Sequence, residues 1–205
     1  MPRLVDLSQT IAAGMPVYPG DEPTELTQTR YLEQHHHNNH RLCIGMHAGT
    51  HLDGPMHMLP GNTYVSQLPL QPFISPGCVI DVRGQSDIRW KPEYEHAIKD
   101  GYSVLFYTGY DHWYGSDRYW HHHPCLHPEI CDHLVRKSVR LLGVDLPSPD
   151  QPPFPIHKRL LGNGVYILEN LANLGQLLGV PNFELIALPL KLEADGSPVR
   201  AVARI

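Results

Sequence analysis

The sequence has no C-x-x-C pair, no H-E-x-x-H motif and no block of Lys and Arg. It also has no apolar run near the roughly 20 residues needed to span a bilayer. Each absence removes a class of function. The four cysteines, Cys43, Cys78, Cys125 and Cys131, are expected to be buried or free thiols in a reducing compartment, with a Cys125/Cys131 metal or redox pair as the lesser alternative. Without basic clustering, and with a net charge of -5, nucleic acid is not an expected partner. The Met1–Leu7 start lacks the apolar core of a signal peptide. These features predict a soluble, cytoplasmic protein with no membrane partner. Charged residues are scarce at 18%, against 41% hydrophobic, which is neither a disordered nor a membrane composition. At 205 residues the chain suits one domain, 1–205, with a core that needs no staples.

Histidine is abundant, with 15 copies. The tract His35-His36-His37-Asn38-Asn39-His40 reads as an exposed polar loop. Tyr110 to Pro124, which contains His121-His122-His123, has no clear period and reads either as a lid or pocket rim or as an ordinary long loop. The informative stretch is His47-Ala48-Gly49-Thr50-His51-Leu52-Asp53-Gly54-Pro55-Met56-His57. Three imidazoles and a carboxylate there are the ligand types that divalent ions take. Gly49, Gly54 and Pro55 argue against a helix, so the stretch reads as a metal-binding loop in which His47, His51 and Asp53 converge on one ion. Asp53 has two oxygens and is able to bridge a second ion. His157, after the proline-rich Pro147–Pro155, and Glu169, at the end of a strand, are candidates to complete it. The rigid Gly14–Asp21 loop carries Tyr18, read as either a pocket wall or a core-packed turn.

Elsewhere, short apolar runs predict strands over 4–8, 24–31, 41–46, 78–82, 103–109, 139–145, 165–169, 183–189 and 199–204. Helices are expected over 92–100, 129–137 and 170–178, the last from Leu171, Leu174, Leu177 and Leu178 at helical spacing. Strands outnumber helices, which predicts an α/β fold with a mixed, partly barrel-like sheet.

The pattern H-x-G-T-H-x-D-x-P-x-H, His47 to His57, resembles the signature of the cyclase family of metal-dependent hydrolases. Val17-Tyr18-Pro19-Gly20-Asp21, Gly143-Val144-Asp145, Ile167–Leu171, Leu188–Leu192 and Gly196–Ala201 resemble further family segments in the same order. The resemblance implies a swivelling β/β/α-type single domain that assembles as a homodimer or larger homo-oligomer. It implies two divalent metal ions, zinc or alternatively manganese. His47 and His51 would bind the first ion, His157 the second, and Asp53 and Glu169 both. His57 would transfer protons. The implied activity is hydrolysis of a small-molecule amide, an N-formyl aryl amide such as N-formylkynurenine, by metal-activated water. Water held on such an ion ionises near neutral pH, its pKa falling from 15.7 to about 7. Family members acting on kynurenine derivatives carry Trp where Tyr18 stands. The alternatives are ring opening of cyclic amides or imides, such as lactams or isatin-like rings, and a protein that binds metal or ligand without catalysis.

Overall fold

A computed structural model describes residues 2–205. Nine strands form one mixed sheet, curled into a half-barrel. Across the sheet they run Leu4–Asp6, Val202–Arg204, Phe183–Ile186, Ile74–Asp81, Ser103–Tyr107, Leu141–Val144, Tyr166–Glu169, His51–Asp53 and Gly196–Pro198. The central four, Ile74–Asp81 through Tyr166–Glu169, run parallel to one another, and the strands flanking them pair antiparallel.

Alternation along the strands separates two cores. Leu52, Leu105, Leu141, Leu168 and Leu185 face one side, where Phe73, Leu171, Leu174 and Leu177 cover them. Ile80, Val104, Phe106, Leu142, Val144 and Ile167 face the other, packed with Ile130, Leu134, Ile156 and Leu160 from the helices Glu129–Arg136 and Pro155–Leu161. Gly143 lies where the sheet is tightest: a Cβ there would sit 2.4 Å from Leu105 and 2.7 Å from Leu171.

The mixed α/β architecture agrees with the sequence expectation, and several elements differ from it. His51–Asp53 is a fully buried strand, not loop. Its flanking glycines and proline shape the entry and exit, while its own three residues pair on both sides. Gly196–Pro198, expected as a connection, is the sheet-edge strand beside it. The leucines after Glu169 form no long helix, only a 3₁₀ turn at Leu174–Leu177. Asn170 and Asn173 have positive φ there, and the amides of Asn170, Leu171 and Ala172 donate to Leu146, Val144 and Leu7 instead of to a helical ladder. The leucine spacing therefore recorded burial rather than helix. The helix expected over 92–100 is a single turn, Tyr94–Ala97. The strand expected over 24–31 is Glu25–Arg30, which pairs with Asn39–Cys43 as an exposed hairpin outside the main sheet.

Candidate active site

Open α/β sheets gather ligands beyond the carboxyl ends of their parallel strands. Glu169 is the last residue of such a strand. Antiparallel pairing sets it directly opposite His51, and period-2 alternation places Asp53 on the same face as His51. Leu52 and Leu168 point into the core behind. The sequence thus plants one imidazole and two carboxylates on adjacent strands, and the hydrophobic register fixes which way they point.

His157 reaches this cluster from the first turn of the Pro155–Leu161 helix. Its Nε2 lies 3.1 Å from Glu169 Oε1 and 3.5 Å from Asp53 Oδ2. Its Nδ1 lies 2.6 Å from Asp150 Oδ1. Asp150 Oδ2 accepts the amide of Ile156, so one buried carboxylate both caps the helix and orients the ring. His51 is held through Nδ1, 2.8 Å from the Gly49 carbonyl, which Asn170 Nδ2 also approaches. Asn170 is fixed in turn by the Tyr119 hydroxyl at 2.7 Å.

His47 Nδ1 stands 2.9 Å from Asp53 Oδ1, and its Nε2 stands 2.9 Å from Asp195 Oδ2. The same Asp195 oxygen lies 3.2 Å from His57 Nδ1, and the rings of His47 and His57 stack with centroids 3.9 Å apart. Gly196 makes this possible, since a Cβ there would come within 2.7 Å of the His47 ring.

Two sets of donor atoms lie close enough to share an ion: His51, Asp53 and Glu169, and His47, Asp53 and His57. Asp53 belongs to both. Among the described residues, His51 Nε2 and Asp53 Oδ2 are buried polar atoms with no hydrogen-bond partner. Such orphans call for an explanation. A divalent ion is the natural one, because its ligands are unprotonated imidazole nitrogens and carboxylate oxygens.

The electrostatics carry the same signature. Burial pushes down the pKa values of His47, His51 and His157, but the surrounding carboxylates outweigh it. Asp195 and Asp53 raise His47 to about 9. Asp53 and Glu169 raise His51 to about 10. Asp150, Asp53 and Glu169 raise His157 to about 12. Burial would also raise Asp53 and Glu169, yet the facing imidazoles hold both below their ordinary values. Without metal the cluster holds protons where cations belong. His57 behaves differently: burial, only partly offset by Asp53, lowers it below the usual 6.5. It is the imidazole kept neutral at physiological pH.

The cluster floors a cavity of about 220 Å³. Tyr18, Trp120 and Phe154 supply its aromatic surface, and Met58 and Asp21 also line it. All seven residues singled out from the sequence border the cavity or, as Asp53, lie directly beneath it. Trp120 settles the open reading of Tyr110 to Pro124 in favour of a pocket rim. Asp150, Asp195 and Phe154 escaped sequence reasoning. Asp150 and Phe154 lie within the proline-rich segment noted above, and Asp195 directly precedes the Gly196–Ala201 segment, but a lone carboxylate or aromatic carries no pattern of its own.

A centre of this kind, on this sheet, defines a metal-dependent hydrolase. The chain belongs to the cyclase family: the family model described as "Putative cyclase" matches residues 5–151. A kynurenine formamidase of Bacillus cereus is 34% identical, over 98% of this chain and 96% of the relative. One of Geobacillus thermodenitrificans is 33% identical over the same shares. Among solved structures, isatin hydrolase A from Labrenzia aggregata, bound to benzyl benzoate, superposes with a TM-score of 0.87 at 28% identity, covering all of this chain and 94% of that one. A predicted metal-dependent hydrolase from Bacillus stearothermophilus superposes at 0.79 with 26% identity, covering 100% and 98%.

Proposed function

We propose that the protein hydrolyses N-formyl aryl amides such as N-formylkynurenine, adding water across the C–N bond to release formate and the aryl amine. The observation that carries this reading is the buried donor cluster sharing Asp53 at the floor of an aromatic cavity. The kynurenine formamidases covered along nearly their full length support the substrate class. In this reading His47 and His51 would hold one ion, His157 the other, and Asp53 and Glu169 would contribute to both. The ions are two in number and zinc, with manganese suited to the same ligands. When bound, they supply Lewis acidity, polarising a carbonyl oxygen and acidifying water.

The protein's own groups do the rest. Tyr18, Trp120 and Phe154 offer ring faces and edges to an aryl group, which directs the formyl end toward the floor. Asp150 and Asn170 hold His157 and His51 in fixed orientations, so the site needs little rearrangement to bind. His57 is anchored at Nδ1 by Asp195, leaving Nε2 free to carry a proton. It takes one from the attacking water and returns it to the departing nitrogen. An aryl amine needs less help to leave than an alkyl amine, which suits a single shuttling imidazole.

The reading also includes a cytoplasmic location and a homodimer or larger assembly of one 1–205 domain. No helix of the described residues is long and apolar enough to cross a membrane. A second reading, ring opening of cyclic amides such as isatin, draws on the likeness to isatin hydrolase A. Purified, metal-loaded protein assayed for formate from N-formylkynurenine and for ring opening of isatin tests both. Formate release with the higher kcat/KM is expected; ring opening alone would replace the first reading with the second.

A further inference from the structure

The floor of the cavity is accounted for above, but its mouth has a chemistry of its own. Asp21 lines it, and no Lys or Arg does. Among the described residues, no cation pairs with Asp21 and no donor bonds its carboxylate. Tyr18 and Trp120 line the same cavity, edge to face with centroids 5.9 Å apart.

This rim is built rather than floppy. The Asp21 amide donates to the Tyr18 carbonyl at 3.0 Å across Pro19 and Gly20, and Gly20 takes the positive φ of 102° that the turn requires. Tyr114 ties the loop to the segment carrying Trp120, its hydroxyl donating to the Pro16 carbonyl at 3.0 Å. Gly115 lets the two segments meet, since a Cβ there would lie 2.4 Å from Pro16. A carboxylate in the same wall as two electron-rich rings, with no Lys or Arg in that wall, is chemistry that recognises an organic ammonium.

We infer that the rim formed by Asp21, Tyr18 and Trp120 is a cation subsite that selects aryl formamides bearing an aliphatic ammonium at the end remote from the formyl group. This rests on the formamidase reading and deepens it. A substrate carboxylate at that end finds no Lys or Arg in the cavity wall and faces solvent.

Three formanilides separate the possibilities: formanilide itself, N-formylkynuramine, whose ortho side chain ends in an ammonium only, and its counterpart 4-(2-formamidophenyl)-4-oxobutanoate, which ends in a carboxylate only. The metal-loaded enzyme should prefer the ammonium substrate over the carboxylate substrate by about tenfold or more in kcat/KM, mostly through KM; tenfold corresponds to ~1.4 kcal/mol. In Asp21→Asn the ratio between these two substrates should collapse to within about threefold, and Trp120→Leu should also reduce it. Formanilide reports folding and chemistry in each variant. Equal use of the charged substrates by the unaltered enzyme, or an unchanged ratio in Asp21→Asn with formanilide still turned over, would overturn the subsite. Failure to hydrolyse all three would instead sink the formamidase reading.

Discussion

Replacing Asp53 with Asn keeps the volume of the side chain and removes its charge. Asp53 is fully buried, and its oxygens lie 2.9 Å from His47, 3.3 Å from His51 and 3.5 Å from His157. The imidazoles proposed to hold the two ions, His47 and His51 for one and His157 for the other, all face it. At about 4 Å and an effective dielectric near 20, a unit charge pair is worth ~4 kcal/mol. That is roughly a thousandfold in affinity for each ion. Asp53→Asn should therefore lose both ions together. The assay is elemental analysis after dialysis, with competition against a chelator to obtain affinities. Folding should survive, because Leu52 and the strand pairing on either side are untouched, and circular dichroism checks that. A variant that stays folded and retains its full metal content, or loses one ion and keeps the other at unaltered affinity, would refute the shared role of Asp53.

His57→Gln should retain metal and lose roughly 10²–10⁴-fold in kcat, the usual contribution of a general acid–base. Because burial lowers the His57 pKa, the neutral ring persists below pH 6.5, so the acid limb of kcat/KM should lie under 6.5 and be absent from the variant. The metal-free protein should behave in the opposite sense in stability. His47, His51 and His157 have folded-state pKa values raised to about 9, 10 and 12, so their stabilisation is complete below 6.5 and is lost as pH climbs through those values. Chelated protein should show a melting temperature that falls between pH 6.5 and 9.5, while metal affinity rises over the same range; a flat profile would mean the imidazoles do not carry those protons. Tyr18→Ala should raise KM for every aryl substrate several-fold with little change in kcat, and an unchanged KM would move the aryl pocket elsewhere.

The site was legible in the sequence where chemistry was dense. Within His47 to His57, four ionisable side chains crowd together between glycines and a proline, a density that solvated loops have no reason to sustain. His157 and Glu169 carry weaker marks of their own, a stiff proline segment and a strand end, and only the family pattern singles them out. The residues that orient these groups were silent. Asp195 lies more than a hundred positions from the histidines it contacts, and nothing local distinguishes it from a surface carboxylate. Asp150 looked like part of a proline linker, although it caps a helix and holds His157. Misjudged elements share one physical cause. In His51–Asp53 and in the leucines after Glu169, tertiary pairing decided the backbone, and local spacing recorded only which side chains were buried.

Hydrolysis of aryl formamides by this protein should depend on metal held in the one buried cluster around Asp53. Formate release from N-formylkynurenine, measured on chelated protein during stepwise return of zinc or manganese, tests it most directly. Activity should be absent at the start, rise with metal bound and level off at two ions per chain. Full activity in the rigorously chelated protein, or saturating metal with no formate released, would contradict the account.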